Sequence, residues 1–117
     1  MHMTDKIVVL STCASRAEAA GIARGLVEKR LAACVSIVKE VQSVYRWKDG
    51  DGKEAIAEAE EFLLVIKSKR EKLPQLKTQL ARMHSYEVPE IVALPIVDGS
   101  DAYLSWMDRE LAEEPAE

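Results

Sequence analysis

The stretch ACVSIVKEVQSVYRW, residues 33–47, decides the fold of this chain. Most of its residues are β-branched, aromatic or otherwise apolar, which is typical of a β-strand. At ~3.3 Å per residue, a strand of this length reaches about 50 Å. A chain of 117 residues does not need so long a strand for its own sheet. We therefore expect the strand to bend or to pair with another subunit, which favours an oligomer.

The segment after this strand has the composition of a turn. Residues 48–52, KDGDG, place two glycines among aspartates, as tight turns require. Residues 61–67 return to strand character, so the two strands are predicted to form a long hairpin. Between residues 48 and 61, two lysines and six carboxylates give a net charge of −4, equal to the charge of the whole chain. We expect this acidic segment to be a solvated connection that repels phosphates and tolerates cations.

One strand and one helix are predicted on each side of this hairpin. Residues 7–12 are a short apolar run typical of a buried strand, and Ser15 with Glu18 forms a capping box that begins a helix. The helix after the hairpin has Pro74 near its start, where a missing N–H is tolerated. Its apolar residues recur at helical spacing: Leu73, Leu76, Leu80 and Met83.

A fourth strand and a third helix complete the chain. Residues 90–97 are predicted as the strand, and Pro95 within them indicates an edge strand or a bulge. Residues 98–100, DGS, turn the chain into a short helix. This helix carries Tyr103, Leu104, Met107 and Leu111.

The order of these elements predicts an α+β fold. Two βαβ units joined by a hairpin form a ferredoxin-like βαββαβ sandwich, with an antiparallel sheet, helices on one face and an extra C-terminal helix. Residues 1–117 are then a single domain, with a frayed tail at residues 112–117.

Composition indicates an ordinary globular protein. Hydrophobic residues make up 48% and charged residues 31% of the chain. Its apolar runs are far shorter than a membrane span, and no basic-then-apolar leader precedes them, so we expect a cytoplasmic protein. Cys13 and Cys34 fit that compartment as free thiols. We interpret His2, between two methionines, as a cloning residue and not as a ligand.

Four segments carry a family resemblance. They are HSYEVPEI at residues 84–91, RLAACVSI at 30–37, SVYRW at 43–47 and YLSW at 103–106. In their order and spacing they resemble the CutA1 family, the divalent-cation tolerance proteins. The resemblance implies a trimer with strands extended across subunit boundaries, and a function in tolerance to copper and other divalent cations.

Individual residues follow the family pattern or depart from it. The matching positions are Cys34, His84, Tyr86, Pro89 and Glu90. Ser85 stands where related chains commonly have proline. Ser11 stands where some members have cysteine, and Cys13 lies two residues later on the same strand face.

The candidate metal ligands are His84, Cys34, Cys13 and Glu90. Imidazole and thiolate suit copper or zinc, and a carboxylate can complete the coordination. No paired-ligand motif occurs within one element, but a trimer can gather one ligand from each chain. Each residue has a structural alternative: Cys34 as a core residue, Cys13 as a passive thiol and His84 as a helix cap. At a helix N-terminus, the Cys13 thiolate is expected to be stabilised by the helix dipole.

A second set of candidates is aromatic or basic. Tyr45 and Trp47 alternate on one strand face, and Tyr103 and Trp106 lie on the last helix. We interpret these four as a shared packing layer at a subunit boundary, or otherwise as the wall of an intersubunit pocket. Tyr86 and Lys67 are assigned to the same boundary or pocket. Lys67 also begins a basic step that is either a solvated turn or an anion seat at a helix N-terminus.

Three functions stay open at this point. No nucleophile elbow, P-loop, dinucleotide pattern or zinc-hydrolase motif is present, so we do not expect an enzyme. The acidic charge disfavours nucleic-acid binding. The first hypothesis is a trimeric, cytoplasmic protein that binds copper or another divalent cation. The alternatives are a small-molecule sensor like the PII regulators, or a stable scaffold without its own ligand.

Overall fold

The structure, a computed structural model, describes residues 4–113. His2 and residues 114–117 of the predicted frayed tail lie outside the described residues. The strands are β1 (Lys6–Cys13), β2 (Cys34–Lys48), β3 (Glu54–Lys69) and β4 (Val92–Pro95). The helices are α1 (Arg16–Glu28), α2 (Leu73–Met83) and α3 (Asp101–Leu111), and a 3₁₀ turn at Arg70–Lys72 precedes α2.

The four strands form one antiparallel sheet in the order β2-β3-β1-β4. This is the topology expected of the βαββαβ arrangement, so the predicted ferredoxin-like fold is confirmed. β4 is an edge strand, as Pro95 indicated. It is shorter than predicted, because it covers Val92–Pro95 and not residues 90–97.

The main core lies between α1, α2 and one sheet face. Its largest members are apolar and fully buried: Val9, Ile22, Leu26, Leu64, Ile66, Leu76 and Leu80. The predicted Ser15 cap of α1 is confirmed, because Ser15 Oγ accepts a hydrogen bond from the Glu18 N–H at 3.1 Å. Such a cap contributes about 1 kcal/mol. The Glu18 half of the predicted capping box is not formed, because the Glu18 carboxylate accepts from the Ser85 N–H instead of the Ser15 N–H.

The prediction that residues 48–61 are a solvated connection was wrong for most of their length. β3 begins at Glu54, and the turn is confined to five residues, 49–53, whose N–H groups at Asp51 and Lys53 donate to Asp49 Oδ1. The acidic residues after the turn pair with β2 in a continuous ladder. Backbone hydrogen bonds and cross-strand packing thus override the local charge.

α3 lies on the opposite sheet face from α1 and α2. Lys6 and Ile7 point to opposite faces of β1, and Ile7 belongs to the main core. Lys6, which is buried, pairs with Asp108 of α3 at 2.9 Å and with its neighbour Asp5. α3 covers only part of this face, and several apolar side chains on it stay exposed: Val38, Val92 and Leu94.

The far end of the β2–β3 hairpin is also apolar and uncovered. Val44 is 62% exposed and Ile56 61% exposed, on one face of this arm, while Tyr45 and Trp47 are half exposed on the other. A two-stranded hairpin is only marginally stable by itself in water. The exposed apolar side chains of this arm are therefore typical of a hairpin that packs against a partner. Within residues 4–113, every helix is too short or too polar to cross a membrane.

Candidate metal centre and adjoining cleft

Cys13, Glu18 and His84 come together at one end of the main core. One potential ligand atom from each lies within 4.8 Å of the others. Cys13 is the last residue of β1, Glu18 lies in the first turn of α1, and His84 directly follows α2. Three different elements therefore supply the three groups, which is why no spacing motif marks them in the sequence.

The imidazole of His84 is held as a single neutral tautomer. Its side chain is fully buried. Nε2 donates a hydrogen bond to the Thr12 carbonyl at 2.8 Å, so that nitrogen carries the proton. Nδ1 accepts a hydrogen bond from the Tyr86 N–H at 3.1 Å. Both ring nitrogens are thus engaged, and Nε2 lies 3.8 Å from Cys13 Sγ.

The Glu18 carboxylate belongs to the same cluster, and only one of its two oxygen atoms has a hydrogen-bond partner within residues 4–113. Its Oε2 accepts a hydrogen bond from the Ser85 N–H at 3.2 Å. Its Oε1 is buried and has no hydrogen-bond partner within residues 4–113, and it lies 3.8 Å from His84 Nδ1. A buried oxygen without a partner is unfavourable unless something compensates its charge. This oxygen atom is therefore the clearest candidate in the cluster for a ligand to a cation.

The expectation that the helix dipole favours a Cys13 thiolate was wrong. Burial, followed by the negative charge of Glu18, raises the pKa of the Cys13 thiol to about 12. Desolvation and a neighbouring anion both disfavour a second negative charge, and together they outweigh the dipole. Cys13 is therefore a neutral thiol near pH 7.

The same three groups occur in Cys–His–carboxylate catalytic triads, but their arrangement here differs. A nucleophilic cysteine needs access to substrate and a neighbouring imidazole nitrogen that can accept its proton. Cys13 is fully buried, and the nearest nitrogen of His84 already carries a proton. This geometry favours ligation over nucleophilic catalysis.

Cys34 does not join this cluster within one chain. It pairs with Lys67 across β2 and β3, and Lys67 pairs with Val8 of β1. Val8 is five residues from Cys13 along β1, or about 16 Å, and points to the other sheet face. The partner of the Cys34 thiol is instead the Lys67 amine, with Nζ 3.9 Å from Sγ.

A cleft of about 560 Å³ adjoins the cluster, on the side of Tyr86. The Tyr86 hydroxyl donates a hydrogen bond of 2.7 Å to Oε2 of the buried Glu61. Burial and this hydrogen bond raise the pKa of Tyr86 above its ordinary value. Glu90 and Tyr45 also line the cleft, so Glu90 is placed there and not in the three-residue cluster.

The other aromatic candidates form two separate groups within one chain. The rings of Tyr103 and Trp106 lie 5.4 Å apart on α3, and Lys67 Nζ is 6.0 Å from the Tyr103 ring centroid. Tyr45 and Trp47 lie on the hairpin arm, opposite alanines of β3. A layer shared by all four residues requires a second chain.

Sequence reasoning missed two residues of this region. Glu18 was assigned only to the helix cap, and Glu61 was counted with the acidic segment. The available signal for Glu18 was its position in the first turn of a helix that begins shortly after a strand ending in cysteine. Glu61 had no local signal, because its burial depends on Tyr86, 25 residues later.

Comparisons with known proteins agree on one family. A family model described as CutA1 divalent ion tolerance protein matches residues 7–110. The divalent-cation tolerance protein CutA of Thermus thermophilus is 46% identical over 86% of this chain and 92% of that protein. A CutA homolog of Xenopus laevis is 43% identical over 82% of this chain, which spans 60% of that longer protein. The crystal structure of CutA from Xylella fastidiosa is 35% identical, with a TM-score of 0.85 over 93% of this chain and 100% of that one.

Proposed function

The chain belongs to the CutA1 family, and from this premise we propose that it binds copper or another divalent cation through Cys13, Glu18 and His84. We propose further that it does so as a cytoplasmic homotrimer and contributes to metal tolerance by binding and not by catalysis. The relatives are named divalent-cation tolerance proteins. That name supports a function in metal tolerance, and the chemistry of the cluster supports the choice of ligands.

The observation that carries the metal proposal is the orphaned Glu18 oxygen beside a thiol and an imidazole. A bound cation compensates that buried negative charge directly. Thiolate and imidazole favour copper and zinc, whereas magnesium and calcium prefer an all-oxygen set. The donor set therefore fits a soft or borderline divalent metal.

Metal binding requires two local changes in these residues. Cys13 must release its proton, because the thiolate is the ligand. His84 must give up one existing hydrogen bond, either that from Nε2 to Thr12 or that from Tyr86 to Nδ1. Both changes lower the apparent affinity, and the first makes it rise with pH.

Uncovered apolar surface supports the trimer. It lies on the hairpin arm, at Val44 and Ile56, and on the second sheet face, at Val92 and Leu94. Other copies of the same chain cover such surface if their strands pair across the subunit boundary, which also accounts for the length of β2. The cytoplasm is favoured because both cysteines are free.

Native mass spectrometry and copper titration under reducing conditions test the metal proposal. We expect one ion per chain, with affinity reduced at least about tenfold in Cys13→Ser and in His84→Ala. The matched controls are Cys34→Ser and His2→Ala, which should bind like the wild type. Equal binding by all five proteins would assign the ions to exposed surface groups. Loss in Cys34→Ser but not in Cys13→Ser would refute the ligand assignment.

A small-molecule sensor stays the second candidate. One observation favours it, the cleft between Tyr45, Tyr86 and Glu61. The cleft offers carboxylates and aromatic rings, whereas the cluster offers a thiol, an imidazole and one carboxylate.

A further inference from the structure

We propose that the cleft beside Tyr86 binds a small organic cation bearing primary ammonium groups, such as an aliphatic diamine. This inference goes beyond metal binding and does not depend on it. Its basis is the combination of a cavity, a buried carboxylate and aromatic walls at one place, on side chains other than the three proposed metal ligands.

The size of the cleft fits an organic molecule. Its volume of about 560 Å³ lies in the range of about 300–1,000 Å³ found for small-molecule sites. Two tyrosines and one valine supply apolar surface to it: Tyr45, Tyr86 and Val88. A single metal ion needs neither this volume nor these walls.

The charge of the cleft selects a cation. Glu61 and Glu90 line it, and no lysine or arginine does so within residues 4–113. Glu61 is only 6% exposed. Its hydrogen-bond partner in the described part of the chain is the neutral Tyr86 phenol, and none of the ion pairs there involves it. A buried carboxylate without an ion-pair partner is stabilised by a cationic ligand.

The polar groups of the cleft match an ammonium group better than a metal ion. An ammonium donates three hydrogen bonds, and the carboxylates with the Thr12 and Ser43 hydroxyls offer acceptors. The aromatic faces of Tyr45 and Tyr86 add cation–π attraction. Within residues 4–113, the three-ligand group close enough to hold a metal is the Cys13 cluster, and it does not include Glu61 or Glu90.

Titration calorimetry of the full-length protein with 1,4-diaminobutane tests this inference, in the presence of EDTA to remove metal ions. We expect saturable binding of one molecule per chain. The uncharged isostere 1,4-butanediol should not bind. Glu61→Gln keeps an acceptor for Tyr86 but removes the charge, and it should weaken diamine binding at least about tenfold.

Glu58→Gln is the matched control. It removes the same charge from the same strand, but Glu58 is exposed and lies on the opposite strand face from Glu61. It should bind the diamine like the wild type. Cys13→Ser should do so too, which separates this site from the metal cluster.

Three results would overturn the inference. One is the absence of saturable binding by the wild type, as expected if a neighbouring copy fills the cleft. Another is equal binding of the diol, and the third is an equal loss in Glu58→Gln and Glu61→Gln, which indicates general electrostatic attraction. None of these results affects the metal proposal, since its ligands and its test differ.

Discussion

Nε2 of His84 lies 3.8 Å from Sγ of Cys13, although 71 residues separate the two in the chain. They meet because β1 ends at Cys13 and α2, packed on the same sheet face, ends at Met83. The Thr12 carbonyl then fixes the ring by accepting a hydrogen bond from Nε2–H. A thiol and an imidazole are thereby buried together, which is the arrangement that the metal proposal uses.

The burial of Cys13 predicts a thiol that is inert in the folded protein. In a Cys34→Ser background, Cys13 is the remaining thiol. It should react with a disulfide reagent at least about a hundredfold more slowly in buffer than in urea, because reaction requires opening of the core and loss of a tightly held proton. Stopped-flow absorbance measures both rates. Similar rates in the two solvents would show that Cys13 is accessible.

The hydrogen bond between Tyr86 and Glu61 predicts a pH-dependent contribution to stability. Tyr86→Phe should lower the free energy of unfolding by about 1 kcal/mol at neutral pH. The pKa of Tyr86 is raised in the folded state. The folded chain therefore keeps this proton longer than the unfolded chain, so the contribution is complete below the unfolded pKa of about 10 and decreases as pH rises above it.

Urea unfolding of wild type and Tyr86→Phe, followed at neutral pH and at about pH 10.5, measures this effect. The stability difference between the two proteins should narrow at the higher pH. Glu61→Gln/Tyr86→Phe completes a double-mutant cycle for the pair. A difference that stays constant, or widens with pH, would contradict the assigned role of the Tyr86 proton.

The exposed arm predicts a dependence of assembly on Ile56. Ile56→Lys places a charge on the apolar arm and should dissociate the proposed trimer, because an interface does not bury an unpaired ammonium group without a large penalty. Val27→Lys is the control, since Val27 is exposed on α1 at the outer helical face. Sedimentation equilibrium should give three times the 13.0 kDa chain mass for wild type and Val27→Lys. A wild-type monomer would refute the assembly.

Two glycines of α1 predict opposite outcomes of the same substitution. A Cβ at Gly21 meets no atom within 4 Å, whereas a Cβ at Gly25 lies 2.6 Å from Met83 Cε. Gly21→Ala should raise the free energy of unfolding by about 0.5–1 kcal/mol, because alanine favours the helix interior. Gly25→Ala should raise the free energy of unfolding by less, since the end of the Met83 side chain must move to accommodate the new Cβ.

Urea unfolding of both alanine variants checks this contrast, and Gly25→Ala/Met83→Ala is the matched test of its cause. Removing the Met83 side chain should restore the gain from alanine at position 25, relative to Met83→Ala alone. Equal stabilisation by the two single substitutions would show that α1 and α2 are farther apart at Met83 than the structure places them.

The secondary structure was largely predictable, and its main error has a physical cause. The Ser15 cap and the apolar periodicity of α2 are local signals, and both were confirmed. The beginning of β3 was misplaced because its first residues alternate alanine with glutamate or isoleucine. Alanine and glutamate have little strand preference alone, and they form a strand here because β2 offers a ladder of hydrogen-bond partners.

The sequence by itself determined the order of the elements, the sheet topology and the family, because periodicity, caps and turns are encoded in neighbouring residues. Only the tertiary structure decided which thiol meets His84. Cys13 and Cys34 are both strand residues, and the sheet register separates them by about 16 Å along the strand direction and places them on opposite faces. The position of the Glu18 carboxylate and the burial of Glu61 were decided in the same way, by contacts with Ser85 and Tyr86 that form when the end of α2 packs near the end of β1. Register and packing depend on residues that are far apart in the sequence, and so the site forms only when the tertiary structure forms.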